Sequence, residues 1–159
     1  MPFMYNIAMD IMDKCQLPAL VDGVRAAIGS AETKEKDPTQ LGPLVLAYIG
    51  DTVFDLFVRT KLVLSTDLNA HGLHMLAAKQ VCAAAQAESF RRIEPLLDED
   101  ELAVFRRGRN SHIGTVPKNA SIGDYRSATG LEAVIGWLYL KGKDERLARL
   151  MSIILNNED

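Results

Sequence analysis

Apolar residues recur at spacings of three and four along nearly the whole chain, and alternating β-branched runs are few. That period puts apolar side chains on one face of a helix, and it predicts an all-α protein. With 159 residues, 48% of them hydrophobic, the chain has material for one core. Residues 1–30 read as one or two short helices closed by Gly29 and Ser30, and the polar run AETKEKDP links them to the main body. The expected division is an N-terminal helical extension with its connector over 1–37 and a helical bundle over 38–159. In the bundle, Asp37 or Thr39 caps a long helix over about 40–64. The alanine-rich stretch LHMLAAKQVCAAAQAESFRRIEPLL has the strongest helix propensity of the chain and ends near Pro95. Four acids, from Asp98 to Glu101, begin a helix that Gly108 limits. A loop follows over 110–123, then a helix to Lys141 that stops at Gly142, and a last amphipathic helix, DERLARLMSIILNN.

The most apolar stretch, LGPLVLAYIGDTVFDLFVRTKLVL, is interrupted by Asp51, Asp55, Arg59 and Lys61 before the roughly 18 uncharged residues of a membrane span accumulate. The opening MPFMYNIAMDIMDKCQ has no basic start, and Asp10 and Asp13 break the continuity a signal peptide needs. A cytoplasmic protein with no membrane partner is expected. Cys15 and Cys82 are too few for a disulfide framework and lack zinc-ligand spacing. Nor does the sequence contain an HExxH pattern, a Ser/His/Asp arrangement in a known context, or a glycine-rich phosphate loop.

Two acids stand out. Asp51 lies in a helix so apolar around its circumference that it should be central to the core, where an ionised group needs a proton, a base or a cation. Ala47, one turn earlier, and Gly50, beside it, allow a second helix to approach closely. Glu132, in SATGLEAVIGWLYL, is flanked by Ala128 and Gly136 at i−4 and i+4. Two apolar helices, each carrying one acid between small residues, have the composition needed to bring two carboxylates to one ion. The spacing alone leaves alternatives open: Asp51, Asp55 and Arg59 form an i, i+4 stripe suited to a solvated face with an Asp55–Arg59 pair, and Glu132 has Arg126 or another arginine as a salt-bridge partner.

The net charge of −3 disfavours a polyphosphate partner, but the basic charge is concentrated. Between residues 102 and 128, Arg106, Arg107, Arg109, Lys118 and Arg126 face the single acid Asp124. Arginines at a helix C-terminus can simply complement its dipole. Their placement around a Gly-, Pro- and Asn-rich loop favours phosphate binding, with Asn119 and backbone amides assisting Lys118. Few aromatics are interleaved, so a duplex read by shape and backbone fits better than a stacked single strand.

AYIGDTVFDLFVR and TGLEAVIG resemble, in order and spacing, the two signature helices of the ribonuclease III endonuclease domain, which carry Glu-Phe-Leu-Gly-Asp and Asp-x-x-Glu-Ala-x-x-Gly. Asp51 and Glu132 fall on that family's metal ligands. Ala47 and Thr129 stand where it has a further glutamate and aspartate. With FRRGRN at 105–110 and VPKNA at 116–120, these departures are similar to the reduced branch called Mini-ribonuclease III, which lacks the separate double-stranded-RNA-binding domain. The resemblance covers about 38–155. It implies a homodimeric, Mg²⁺-dependent endoribonuclease that cleaves double-stranded RNA and matures the 23S ribosomal RNA precursor, in some members with a large-subunit ribosomal protein. Asp51 and Glu132 would be the catalytic metal ligands and Asp55 an acid supporting them. Arg106, Arg107, Arg109, Lys118, Asn119 and Arg126 would position the RNA. A non-catalytic all-α module that binds structured RNA is the alternative.

Overall fold

A computed structural model describes residues 19–29, 31–112 and 114–156. Seven α-helices account for most of these residues, and no strand occurs among them. In chain order they are α1 (Leu20–Ile28), α2 (Pro43–Ser65), α3 (Ala70–Val81), α4 (Ala83–Ile93), α5 (Glu99–Arg109), α6 (Ile122–Leu140) and α7 (Asp144–Leu155). Short 3-10 turns at Pro38–Gln40 and Glu94–Leu96 precede α2 and follow α4.

The architecture is organised around α6. From Ala128 to Tyr139 every residue except Glu132 is buried. Ser121 starts this helix by accepting from the Asp124 N–H at 3.0 Å. Gly142, at φ +69°, ends it in a conformation that glycine adopts without steric penalty. α2 packs most extensively against α6, followed by α5 and α4. Leu46, Phe54 and Val58 of α2, Ile93 of α4, Leu131, Ile135 and Leu138 of α6, and Leu150 and Met151 of α7 belong to one continuous core. Phe90 of α4 and Phe105 of α5 stack with ring centroids 3.6 Å apart.

Several local expectations are met and several are corrected. Asp37 does cap, but it caps the 3-10 turn, accepting from Thr39 N–H at 2.9 Å; the α-helix starts later, at Pro43, where a missing N–H costs nothing. The single alanine-rich helix is two. Cys82 takes an extended conformation (φ −68°, ψ 157°) and breaks the run, because tertiary packing of α4 on α6 overrides propensity. Gly108 does not limit α5, which runs on to Arg109. It is buried, and a Cβ there would lie 2.9 Å from Gly130 Cα, so glycine serves close packing of α5 on α6. The acids at the start of α5 also do more than offset the dipole. Asp98 and Glu101 form a capping box, and Glu101, buried at 1% exposure, receives Arg146 of α7 on both carboxylate oxygens at 2.7 Å.

Of the N-terminal extension, α1 is described. Val21 is its buried residue, and its first N–H donates to Asp144 Oδ2 at 2.9 Å across the α6–α7 turn. The expected helix content of residues 1–18 lies outside the described residues.

Candidate active site

The two acid-bearing helices meet backbone to backbone. A Cβ placed on Gly50 of α2 would lie 1.7 Å from the Glu132 carbonyl oxygen, and one on Gly136 of α6 would lie 2.0 Å from the Leu46 carbonyl oxygen. Only glycine at both positions permits this approach. Asp51 follows Gly50 directly, and Glu132 stands one turn before Gly136, so the close crossing delivers both acids to the same edge of the contact. Their side chains come within hydrogen-bonding reach of each other.

The pair opens onto a cleft of about 530 Å³. One wall is the α3–α4 break, with Cys82 and Gln86; the opposite wall is the N-terminal half of α6, with Asp124, Tyr125, Ala128 and Thr129; Asn119 and Ser121 close the rim. Asp51 is exposed, which corrects the expectation that its helix is surrounded by core. α2 presents Val45, Tyr48, Leu56 and Val63 outward, and it is α6, from Ala128 to Tyr139, that the other helices enclose. The carboxyl of Glu132 is pushed up from its ordinary 4.5 to about 8. Burial is the largest cause and the adjacent Asp51 the next, while the Gln86 amide favours the ionised form.

A cation would resolve what this geometry leaves uncompensated. Two carboxyls share one cleft and one of them holds its proton well above the carboxylate range, so a divalent ion placed between them would permit both to ionise. The donors are oxygen atoms only, which suits Mg²⁺, an ion that keeps several waters and takes one or two protein carboxylates. Among the described residues no cluster of three or more His, Cys, Asp or Glu side chains exists, so the pair stands without a third such ligand.

The other sequence-selected residues divide by position. Asp55 pairs with Arg59 at 2.7 Å, one turn beyond Asp51, as in the solvated-stripe alternative. Glu132 is not paired with Arg126, which is exposed on α6. Arg107 is committed to structure: its guanidinium donates to the Thr39 and Leu41 carbonyls at 3.2 and 2.9 Å, fastening the segment that leads into α2. Arg109 lies over the Phe105 ring at 5.7 Å. Arg106 and Lys118 are exposed, and Asn119 reaches the cleft itself. Sequence reasoning passed over Gln86, although a long polar side chain within CAAAQA is the kind of irregularity that marks a buried polar contact, and it weighed Cys82 for its thiol chemistry alone and not as part of a cleft wall.

Known proteins resemble this chain over most of its length. The model of the Ribonuclease III domain matches residues 44–143, which contain both acids and the glycine crossing. A Mini-ribonuclease 3 from Clostridium tetani is 47% identical over 130 residues, covering 81% of this chain and 85% of that protein. The chain belongs to the Mini-ribonuclease III family. A second member, from Thermoanaerobacter sp., is 48% identical over 113 residues, covering 71% of this chain and 80% of its own. The crystal structure of a protein from Fusobacterium nucleatum superposes with a TM-score of 0.70 at 31% identity, covering 79% of this chain and all of that one. Membership in the Mini-ribonuclease III family makes the chain an endoribonuclease of the ribonuclease III type and agrees with the all-α fold. Among the described residues no helix is long and apolar enough to cross a membrane.

Proposed function

We propose that this chain is a cytoplasmic, Mg²⁺-dependent endoribonuclease that cuts double-stranded RNA as a homodimer, with Asp51 and Glu132 as its catalytic metal ligands. The observation that carries the assignment is the convergence of those two carboxyls on one cleft beside the Gly50–Gly136 crossing. When bound, Mg²⁺ makes a water more acidic and polarises the phosphoryl oxygen, which is the chemistry phosphodiester hydrolysis requires. Asp51 and Glu132 hold and orient the ion, and the backbone seam fixes their separation. Asp55 is the supporting acid one turn beyond Asp51, its own charge balanced by Arg59. Arg106, Arg109, Lys118 and Arg126 neutralise the phosphates of the duplex, Asn119 helps place them by hydrogen bonding, and Arg107 contributes through the segment it fastens. The catalytic unit spans 38–159, with residues 1–37 appended to it.

A second copy fits the exposed apolar side of α2, where Tyr48 and Leu64 are each 81% exposed. One site cuts one strand, so a two-fold pair addresses both strands of a duplex. The natural substrate we propose is the 23S ribosomal RNA precursor.

The experiment is cleavage of a defined RNA duplex, and of 23S precursor, with and without Mg²⁺, by the parent and by Asp51→Asn and Glu132→Gln. The parent is expected to cut only with Mg²⁺, and each variant to lose at least about 100-fold in rate while still binding duplex. Retained cleavage in both variants removes the ligand assignment. Salt-sensitive duplex binding without cleavage by the parent would instead return the non-catalytic RNA-binding module.

A further inference from the structure

Gln86 sits in the first turn of α4, immediately after the Cys82 break, where its N–H donates to the Cys82 carbonyl at 3.0 Å. It is 1% exposed. Its side chain forms part of the cleft wall with Asp51 and Glu132 and faces the Glu132 carboxyl. The amide nevertheless falls short of hydrogen-bond geometry, and Nε2 is buried without a bonded partner. Ala84, Ala85 and Ala87 surround it in sequence, so a small apolar residue was available to this helix at lower cost in desolvation and side-chain entropy. Buried amide N–H groups without partners are rare in native proteins, and where they occur an ion, a water or a functional task accounts for them.

We propose that Gln86 is a positioning residue of the metal site, its amide N–H group holding the Glu132 carboxylate in the orientation that receives the cation. This rests on Asp51 and Glu132 being the metal ligands. Carboxylates that bind metals are themselves held by hydrogen bonds from neighbours, which fix their orientation and set affinity. A neutral donor suits this place better than a further acid: Asp51 and Glu132 already match the charge of one divalent ion, Asp124 stands in the opposite wall, and another negative group would add repulsion inside the cleft.

The test uses Gln86→Met, which keeps side-chain length and removes the N–H. Because the variant loses a buried, partnerless donor, its Tm is expected to stay level or rise. Its affinity for MgCl₂, titrated calorimetrically into RNA-free protein, is expected to fall about 10- to 100-fold, with the MgCl₂ concentration for half-maximal duplex cleavage rising by the same factor. A residue that merely fills the core would give the reverse, a lower Tm with unchanged Mg²⁺ affinity, and that result overturns the proposal. Asp51→Asn separates the two levels. If it abolishes Mg²⁺ binding while Gln86→Met binds like the parent, only the role of Gln86 falls. Should Asp51→Asn bind Mg²⁺ like the parent, the ligand assignment fails and the role of Gln86 with it.

Discussion

Glu132 interrupts an otherwise continuous buried run on α6, and its environment opposes its charge. With the carboxyl at about 8 in the folded protein against 4.5 ordinarily, the native state holds a proton that the unfolded state has released throughout that interval. The contribution of Glu132 to the stability of the metal-free protein is therefore fully present below about pH 4.5, falls as pH rises, and is lost above about 8. Thermal melts in EDTA between pH 5 and 9 should show Tm declining, and Mg²⁺ should restore it most at the alkaline end, because binding displaces that proton. Asp51→Asn is expected to reduce the slope without abolishing it, since burial outweighs the Asp51 charge as a cause. A flat Tm profile in the parent would contradict this account. That these two acids reach one cleft was legible in sequence because small residues bracketed each of them. That Asp51 stands at an open rim while Glu132 lies in the wall was not, since it depends on which helix the others enclose.

At the scale of elements, the α2–α6 seam decides whether a site exists. Gly136→Ala would drive a methyl group into the Leu46 carbonyl, where backbone has no rotamer to yield. We expect a loss of about 3 kcal/mol or more in urea unfolding, with weakened Mg²⁺ binding in whatever folds. A variant as stable as the parent would mean that the crossing relaxes freely. Helix types and order were readable from the period of apolar residues, and most ends from Ser, Asp, Gly and Pro. Two features escaped. Cys82 breaks an alanine-rich run that propensity favours continuing, and Gly108 resembles a helix stop but serves as a contact surface for Gly130. Both are set by partners distant in sequence, to which a local window is blind.

At the scale of the molecule, the outward side of α2 is the surface a two-fold partner would cover. Leu56→Glu combined with Val63→Glu, both at exposed positions, should convert a dimer to a monomer in analytical ultracentrifugation and shift products from double-strand breaks toward nicks. A parent that sediments as a monomer at micromolar concentration would refute the dimer. The basic residues complete the picture unevenly: Arg106, Lys118 and Arg126 are exposed, whereas Arg107 spends its guanidinium on the Thr39 and Leu41 carbonyls. Charge counting along the sequence could not distinguish these uses. The glycine seam has a last consequence. Because main chain abuts main chain, the distance between the acids is inherited from the hydrophobic interior, and no side-chain exchange along the crossing can retune it gradually. Adaptation of such an enzyme to another substrate or temperature has to proceed through the cleft's rim and walls, leaving the hinge-less centre untouched.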